Sequence, residues 1–338
     1  MQQLNYHAGA LRLAADPRSR PGVRTRFTLT QVGFRTPEPG SSMPSLSSRV
    51  LRPVFVLTAV ALGLAGCRGR TAAPPVATPG LTIDRTSAAL GSPIELHYHF
   101  TVAPGARFDQ NYRVMVHFVN ADEELMWTDD HFPPVPTTQW KPGQQIDYRR
   151  TLFLPVYPYV GEAYVEVGLY SPTTQKRLTL KGEDIGQRAY RVARLDILPQ
   201  TANLPLQYTD GWHQAELAQH DPNTQWRWTM KSGTITFPNP KRDSTFYLQL
   251  DNPSGAFDQP QHVTVSVNGQ SVLQFDLPPK QELLQKIPLT AAQLGTAGTG
   301  TITIAVDKTF IPADIPALHS TDPRELGVRV FRAFLLPG

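Results

Sequence analysis

Short segments in which apolar and polar residues alternate are the feature that most constrains the fold of this chain. In residues 94–100 (IELHYHF), one face of an extended strand would carry Ile94, Leu96, Tyr98 and Phe100. Similar segments recur further along the chain, at residues 112–119, 146–154, 163–170 and 190–198. Short alternating segments separated by turn residues are typical of β-sandwiches, so the pattern predicts an all-β fold.

A second set of alternating segments follows a junction at residues 199–205 (PQTANLP) that reads as a linker. Asn268-Gly269 separates two of these segments and predicts a tight hairpin, because both residues adopt positive φ at low cost. Residues 291–294 (AAQL) are the one predicted helical turn. We therefore predict two β-sandwich domains, one over residues 81–199 and one over residues 206–338.

Cys67 is the only cysteine, and it follows Leu64-Ala65-Gly66. The apolar run of residues 54–64 is entered from Arg49 and Arg52. A basic start, a short apolar core and a small-residue cleavage site indicate a secretory signal peptide. These residues resemble the lipobox of bacterial lipoproteins. The resemblance implies cleavage before Cys67 and lipid on its sulfur and its new amino group. The alternative is a small buried thiol.

The distance from Met1 to Cys67 is long for a signal peptide, which is typically about 15–30 residues. Residues 43–66 are 24 residues and fit that length. We therefore expect translation to start at Met43, with residues 1–42 a disordered gene-model extension and residues 43–66 the signal peptide. Residues 67–80, rich in Pro and Ala, would form a lipidated tether. The alternative is that residues 1–42 are a genuine Arg-rich leader.

The charge of the chain is divided unevenly along its length. Of the 32 Lys and Arg residues, eight lie in residues 1–66, together with two of the 28 acidic residues. Residues 67–338 therefore hold 24 basic and 26 acidic groups, a net charge of −2. The net charge of +4 of the whole chain thus does not indicate nucleic-acid binding, which requires a clustered basic surface. With its one cysteine acylated, the chain would form no disulfide.

The order of VMVHFVN, WTDDHFPPVPTTQW, KPGQ, LFLP and GEAYVEVGLY resembles immunoglobulin-like modules that accompany bacterial membrane glycosyltransferases of the dolichyl-phosphate-mannose type. This resemblance covers about residues 81–198 and implies a fold but hardly an activity. Two candidate metal sites lie within it, Asp129-Asp130-His131 and the pair His97 and His99. We interpret the first as a turn capped by Asp, and the second as the polar face of a strand. No metal or other cofactor is predicted.

The pieces GWHQAE, WRWT, VSVNGQ, IAVDKTFIP and DPRELGVRVFRAFL resemble a jelly-roll module associated with envelope glycosyltransferases and polysaccharide proteins. The resemblance spans about residues 206–337. Jelly rolls of this kind resemble carbohydrate-binding modules, which implies a sugar-binding surface.

Sugars stack their C–H faces on aromatic rings, while their hydroxyls need polar partners. Trp212, Glu216 and Arg324 are the predicted carbohydrate-binding residues, with Trp212 exposed in a loop. Trp226 and Trp228 share one face of a strand, and we expect both to pack inward. The alternative is that Arg324 forms an ion pair with Glu216 or Glu325.

The sequence carries no pair of carboxylates in a glycosidase pattern, no Gly-x-Ser-x-Gly elbow and no phosphate loop. It predicts a non-catalytic, lipid-anchored protein of the bacterial cell envelope that takes part in glycan binding or assembly. Its partners would be the membrane, through lipid on Cys67, and a polysaccharide or another envelope protein. Arg68 after the cysteine, in place of Asp, favours the outer membrane. The alternatives are a structural or adaptor lipoprotein and, third, a glycan-active hydrolase.

Overall fold

The computed structural model describes residues 73–219 and 221–338. Cys67, the predicted signal peptide of residues 43–66 and residues 1–42 lie outside the described residues, as do residues 67–72 of the predicted tether. Residues 77–80, which the sequence assigned to the tether, instead belong to a strand that pairs with residues 99–102. Among the described residues, no helix is long and apolar enough to cross a membrane.

The first half of the described chain forms two sheets. Its strands are β1 (Ala77–Ile83), β2 (Ser87–Ala89), β3 (Pro93–Val102), β4 (Arg113–Asn120), β5 (Leu125–Thr128), β6 (Gln145–Phe153), β7 (Gly161–Tyr170) and β8 (Tyr190–Leu198). One sheet has the order β1-β3-β6 and the other β2-β8-β7-β4-β5. Every pairing is antiparallel except that of β2 with β8, which is parallel.

The alternation of β3 explains how this sandwich holds together. Ile94, Leu96, Tyr98 and Phe100 are each at most 1 % exposed and pack in one core with apolar residues of β4, β7 and β8. Neighbouring side chains of a strand point to opposite faces, so His97 and His99 lie on the outer face of the three-stranded sheet. The prediction of an all-β fold is confirmed.

The second half forms a second pair of sheets. Its strands are β9 (Gln207–Tyr208), β10 (Glu216–Ala218), β11 (Asp221–Trp228), β12 (Ser232–Pro238), β13 (Ser244–Asp251), β14 (Gln261–Val267), β15 (Gln270–Leu277), β16 (Glu282–Leu289), β17 (Thr299–Val306) and β18 (Arg329–Pro337). The sheet orders are β10-β11-β18-β13-β16 and β15-β14-β17-β12-β9. A second core lies between them, built from alternate residues such as Val263 and Val265 of β14.

Two local predictions are confirmed in this half. Asn268 and Gly269, both with positive φ, form the two-residue turn between β14 and β15. The helical turn α1 (Ala291–Leu294) begins with a capping box between Thr290 and Gln293.

Specific contacts join the two sandwiches. Lys286 of β16 lies 2.8 Å from the carboxylate of Glu95 on β3. The Phe153 ring of β6 meets the Tyr247 ring of β13 edge-on, with centroids 5.9 Å apart. The junction between the sandwiches contains a 3₁₀ turn, Gln200–Ala202, rather than an irregular linker throughout.

Candidate functional site

A groove of about 440 Å³ opens on the second sandwich, where the five-stranded sheet around β18 approaches β9. Its lining residues come from five strands and are mainly aromatic, amide or charged. They are Tyr208, Thr224, Gln225, Trp226, Arg227, Gln249, Glu282, Val330, Phe331 and Arg332. A concave surface with a few convergent polar groups is the usual form of a ligand site.

Trp226 is half-buried at the edge of this groove, and three neighbours hold its ring. Its indole Nε1 donates a hydrogen bond to Glu216 Oε2 at 3.1 Å. The guanidinium of Arg329 lies 4.8 Å from its ring centroid, and the ring of Phe331 meets it edge-on at 6.2 Å. Two residues on, Trp228 is buried with Phe310 and Leu326. The inward packing predicted for Trp228 is confirmed, whereas Trp226 is only half-buried and lines the groove.

Phe331 reaches the groove through an irregularity in β18. The pairing of β18 with β13 matches Gln249 with Arg332 and Leu250 with Val330, which leaves Phe331 as the extra residue of a β-bulge. A bulge bends the strand and re-aims the extra side chain. The alternation of β18 alone therefore does not predict where Phe331 points.

Arg329 fixes the orientation of both rings. Its guanidinium lies 4.7 Å from the Phe331 centroid and 4.8 Å from that of Trp226. Its nitrogens donate to both carboxylate oxygens of Asp251, at 2.8 and 2.6 Å. A bidentate ion pair restricts the guanidinium plane, so the two rings rest on a rigid support.

The opposite side of the groove carries a second aromatic–cation pair. The Arg227 guanidinium lies 4.9 Å from the centroid of the Tyr208 ring. Burial raises the pKa of Tyr208, so its phenol stays protonated at neutral pH. Gln249 donates a hydrogen bond to Glu282, and the two residues add an amide and a carboxylate to the lining of the groove. The groove thus combines aromatic rings with donors and acceptors.

Glu216 and Arg324, two of the predicted site residues, are brought together by the fold. Arg324 Nη1 lies 2.7 Å from Glu216 Oε1, and the same guanidinium is held by Asp322 at 2.6 Å. Hydrogen bonding from Arg324 lowers the pKa of Asp322, and this pairing raises the pKa of Arg324. The ion pair that the sequence left as an alternative is therefore present, with Glu216 and not with Glu325.

Trp212 differs from the prediction of an exposed loop residue. It is half-buried, and its indole Nε1 donates to the carbonyl of Thr234 at 2.8 Å. Its ring packs edge-on against Tyr208 at 4.9 Å and covers Gly233, where a Cβ would lie 2.6 Å from the ring. Gly211, with φ of 75°, brings its backbone so close to Ser232 that a Cβ would clash with that carbonyl. The ring of Trp212 is thus turned toward the sandwich core. The indole that donates a hydrogen bond to Glu216 is that of Trp226.

The Asp129-Asp130-His131 corner of the first sandwich differs from the predicted turn, because its backbone continues the pairing with β4 through an antiparallel bridge between Val114 and His131. Asp129 forms a bidentate ion pair with Arg150, at 2.8 and 3.0 Å. Asp130 accepts the backbone N–H of Val116, and His131 Nε2 lies 2.8 Å from the hydroxyl of Tyr148. All three side chains therefore already have hydrogen-bond or ion-pair partners within the protein.

No protein-family model matches the chain, and no curated protein matches it either. Solved structures with some likeness include the secreted serine protease VesC from Vibrio cholerae, at 14% identity and a TM-score of 0.22 over 76% of this chain and 51% of VesC. This chain thus spans about half the length of VesC.

Two carbohydrate-binding modules also show likeness. One is a family 35 module from Clostridium thermocellum, at 11% identity and a TM-score of 0.24 over 40% of this chain and 99% of the module. The other is TmCBM61 in complex with beta-1,4-galactotriose, at 8% identity and a TM-score of 0.24 over 40% of this chain and 88% of the module. At these TM-scores the likenesses assign neither a family nor an activity to this chain.

Proposed function

We propose that this chain is a non-catalytic, lipid-anchored protein of the bacterial envelope whose second sandwich binds a polysaccharide. The observation on which the proposal rests is the groove in which the rings of Trp226 and Phe331 pack against the guanidinium of Arg329. The anchor rests on the sequence around Cys67.

The groove suits a sugar because it offers both kinds of contact that a sugar needs. Aromatic rings give rigid contact area at a small cost in conformational entropy. The side chains of Arg227, Gln249 and Glu282 provide donors and acceptors for hydroxyl groups. A groove open along the sheet also accommodates an internal stretch of a polymer, and does not require a chain end.

The carboxylates favour binding over hydrolysis. A glycosidase generally needs two carboxyl groups facing each other across the scissile bond. Among the lining residues of the groove, Glu282 is the only carboxylate. Glu216, at the border, is engaged by Trp226 and Arg324.

The proposal is tested by affinity electrophoresis of the full-length chain in gels containing soluble bacterial polysaccharides, mannan or β-galactan. Wild-type protein should be retarded by at least one polymer, and Trp226→Ala should lose about fivefold in affinity, the equivalent of about 1 kcal/mol for an aromatic contact. Phe132→Ala is the matched control, because Phe132 is 54% exposed on the first sandwich.

Melting temperatures measured in parallel separate lost binding from lost folding. Equal retardation of wild type and a folded Trp226→Ala variant would contradict a glycan site in this groove. Retardation lost equally in Phe132→Ala would place binding elsewhere. Absence of retardation in every polymer would favour the alternative of an adaptor that binds an envelope protein.

A further inference from the structure

The outer face of the β1-β3-β6 sheet carries two imidazoles and a carboxylate side by side. His97 and His99 are two residues apart on β3, so their side chains share a face, and their ring centroids are 4.0 Å apart. Asp147 of β6 is the direct cross-strand partner of His99. The sequence shows the two histidines, but only the register of β3 with β6 brings in the third group.

Three potential ligand atoms, one from each residue, lie within 4.8 Å of one another. Asp147 Oδ1 is 2.6 Å from His99 Nδ1 and 3.8 Å from His97 Nε2. Zinc bonds to nitrogen and oxygen are about 2.0–2.2 Å, which puts tetrahedral ligands roughly 3.4 Å apart. All three side chains are at least 31% exposed, so small rotations reach that geometry. We propose that His97, His99 and Asp147 bind a zinc ion.

A neighbouring hydroxyl suits the same arrangement. Metal-binding histidines usually donate their other ring N–H to an oxygen, which fixes the tautomer and the ring orientation. Thr82 Oγ1, on β1, lies 3.5 Å from His99 Nε2. With Nδ1 of His99 on the metal side, the Nε2 proton points toward this hydroxyl.

The types of ligand atom and the charges around the cluster determine which metal ion it prefers. Two imidazoles with one carboxylate suit zinc and its neighbours, whereas magnesium and calcium prefer oxygen ligands alone. Arg149, the cross-strand partner of His97, repels a cation, so the site is weaker than a closed four-ligand site.

Three protein ligands leave a coordination position open to solvent. An external group can therefore occupy it, such as water or a donor from a bound molecule. The site lies on the first sandwich, and its existence is independent of glycan binding in the groove of the second.

A matched control pair exists on the second sandwich. His262 and Asp276 lie on neighbouring strands, 3.0 Å apart, and both are exposed. Within the described part of the chain, no third histidine, cysteine or acidic group joins them at ligand distance. A single imidazole and one carboxylate make a poorer site, so His262→Gln should leave zinc affinity unchanged.

The test is a zinc titration of the full-length chain at pH 7.5 in competition with a chromogenic chelator, with folding of each variant checked by circular dichroism. Wild type and His262→Gln should bind one equivalent with the same affinity, and His97→Gln, His99→Gln and Asp147→Asn should each lose at least tenfold. Binding should weaken at pH 5, where protons compete for the imidazoles.

Substitution with cobalt adds a spectroscopic signature, because visible absorption bands of nitrogen-ligated cobalt should vanish in His97→Gln/His99→Gln. Two results would overturn the proposal. One is failure of the wild type to compete with the chelator. The other is equal zinc uptake by the wild type and the folded double variant, which would place the bound zinc on other residues.

Discussion

The indole Nε1 of Trp226 donates to Oε2 of Glu216 at 3.1 Å, while Oε1 of the same carboxylate is held by Arg324 at 2.7 Å. One carboxylate therefore connects the groove to the loop that carries Arg324. In the proposed polysaccharide site, this arrangement gives Glu216 the role of positioning Trp226 rather than of binding the sugar directly.

Replacement of Glu216 tests that positioning. Glu216→Ala should lower polysaccharide affinity about twofold to threefold, because Trp226 loses the acceptor that orients it. The free energy of unfolding should fall by less than about 1 kcal/mol, since the ion pair with Arg324 is partly exposed. Glu216→Gln, which keeps an acceptor oxygen, should bind nearly as well as wild type. A Gln variant as weak as the Ala variant would mean that the charge, and not the orientation, matters.

The bulge residue Phe331 offers a second test of the groove. Phe331→Ala removes a ring that rests on Arg329 and should reduce polysaccharide affinity about fivefold, measured by affinity electrophoresis. Phe331→Tyr keeps the ring and should retain most of the affinity. Unchanged binding in Phe331→Ala would restrict the site to the Tyr208 side of the groove.

Trp212 is expected to contribute to stability and not to binding. Trp212→Ala empties the space over Gly233 and removes one donor from the Thr234 carbonyl, which keeps the backbone N–H of Thr209. We expect a loss of about 2 kcal/mol, below the ~3–5 kcal/mol typical of fully buried aromatic residues, and a fall in Tm of roughly 6 °C. The Tm of Trp212→Phe should fall less than that of Trp212→Ala, because the packing of an aromatic ring is kept. A lower polysaccharide affinity at unchanged Tm would instead support the direct stacking role that the sequence suggested.

The ion pair of Asp322 with Arg324 should make stability depend on pH at the acid end. Because the folded pKa of Asp322 lies below 3.8, its usual value, the pair stabilises the fold above that pH and the contribution is lost as pH falls through the folded pKa. The difference in urea midpoint between wild type and Asp322→Asn should therefore be constant from pH 7 to 5 and shrink as the pH is lowered below 3.8. Asp314→Asn, an exposed carboxylate on a neighbouring turn, is the control. A difference that grows on acidification would refute this assignment.

Local sequence patterns predict many of the strands and turns of the fold. The other features depend on pairing between strands that are distant in the sequence. The alternation of residues 94–100 and the Asn268-Gly269 turn are short-range signals, and the structure has both. The position of Phe331 depends on a bulge against β13, which has no signature in β18 itself. Tyr208 lies on a two-residue strand that was not predicted.

The candidate site shows the same division. Glu216 and Arg324 were predicted to share one site, and they lie close together because their segments open and close the same domain. The groove contains Trp226 where the sequence suggested Trp212, and this was not foreseeable, since Trp226 shares a strand face with the buried Trp228. The decisive feature for Trp212 is the bare backbone of Gly233, which receives its ring.

Lipidation at Cys67 is a prediction from the sequence, and an acylated Cys67 would place the protein at a membrane. In cells, wild type should fractionate with membranes and have a mass matching residues 67–338 plus acyl chains. Two or three acyl chains anchor firmly, whereas a single chain gives only marginal binding. Cys67→Ala should block processing and abolish the acylated form, and Thr71→Ala, outside the Leu64–Cys67 motif, should behave as wild type. Density-gradient separation of the two membranes then tests the preference for the outer one that Arg68 suggests. A Cys67→Ala chain that is still cleaved after Gly66 and still held at the membrane would show that the anchor lies elsewhere.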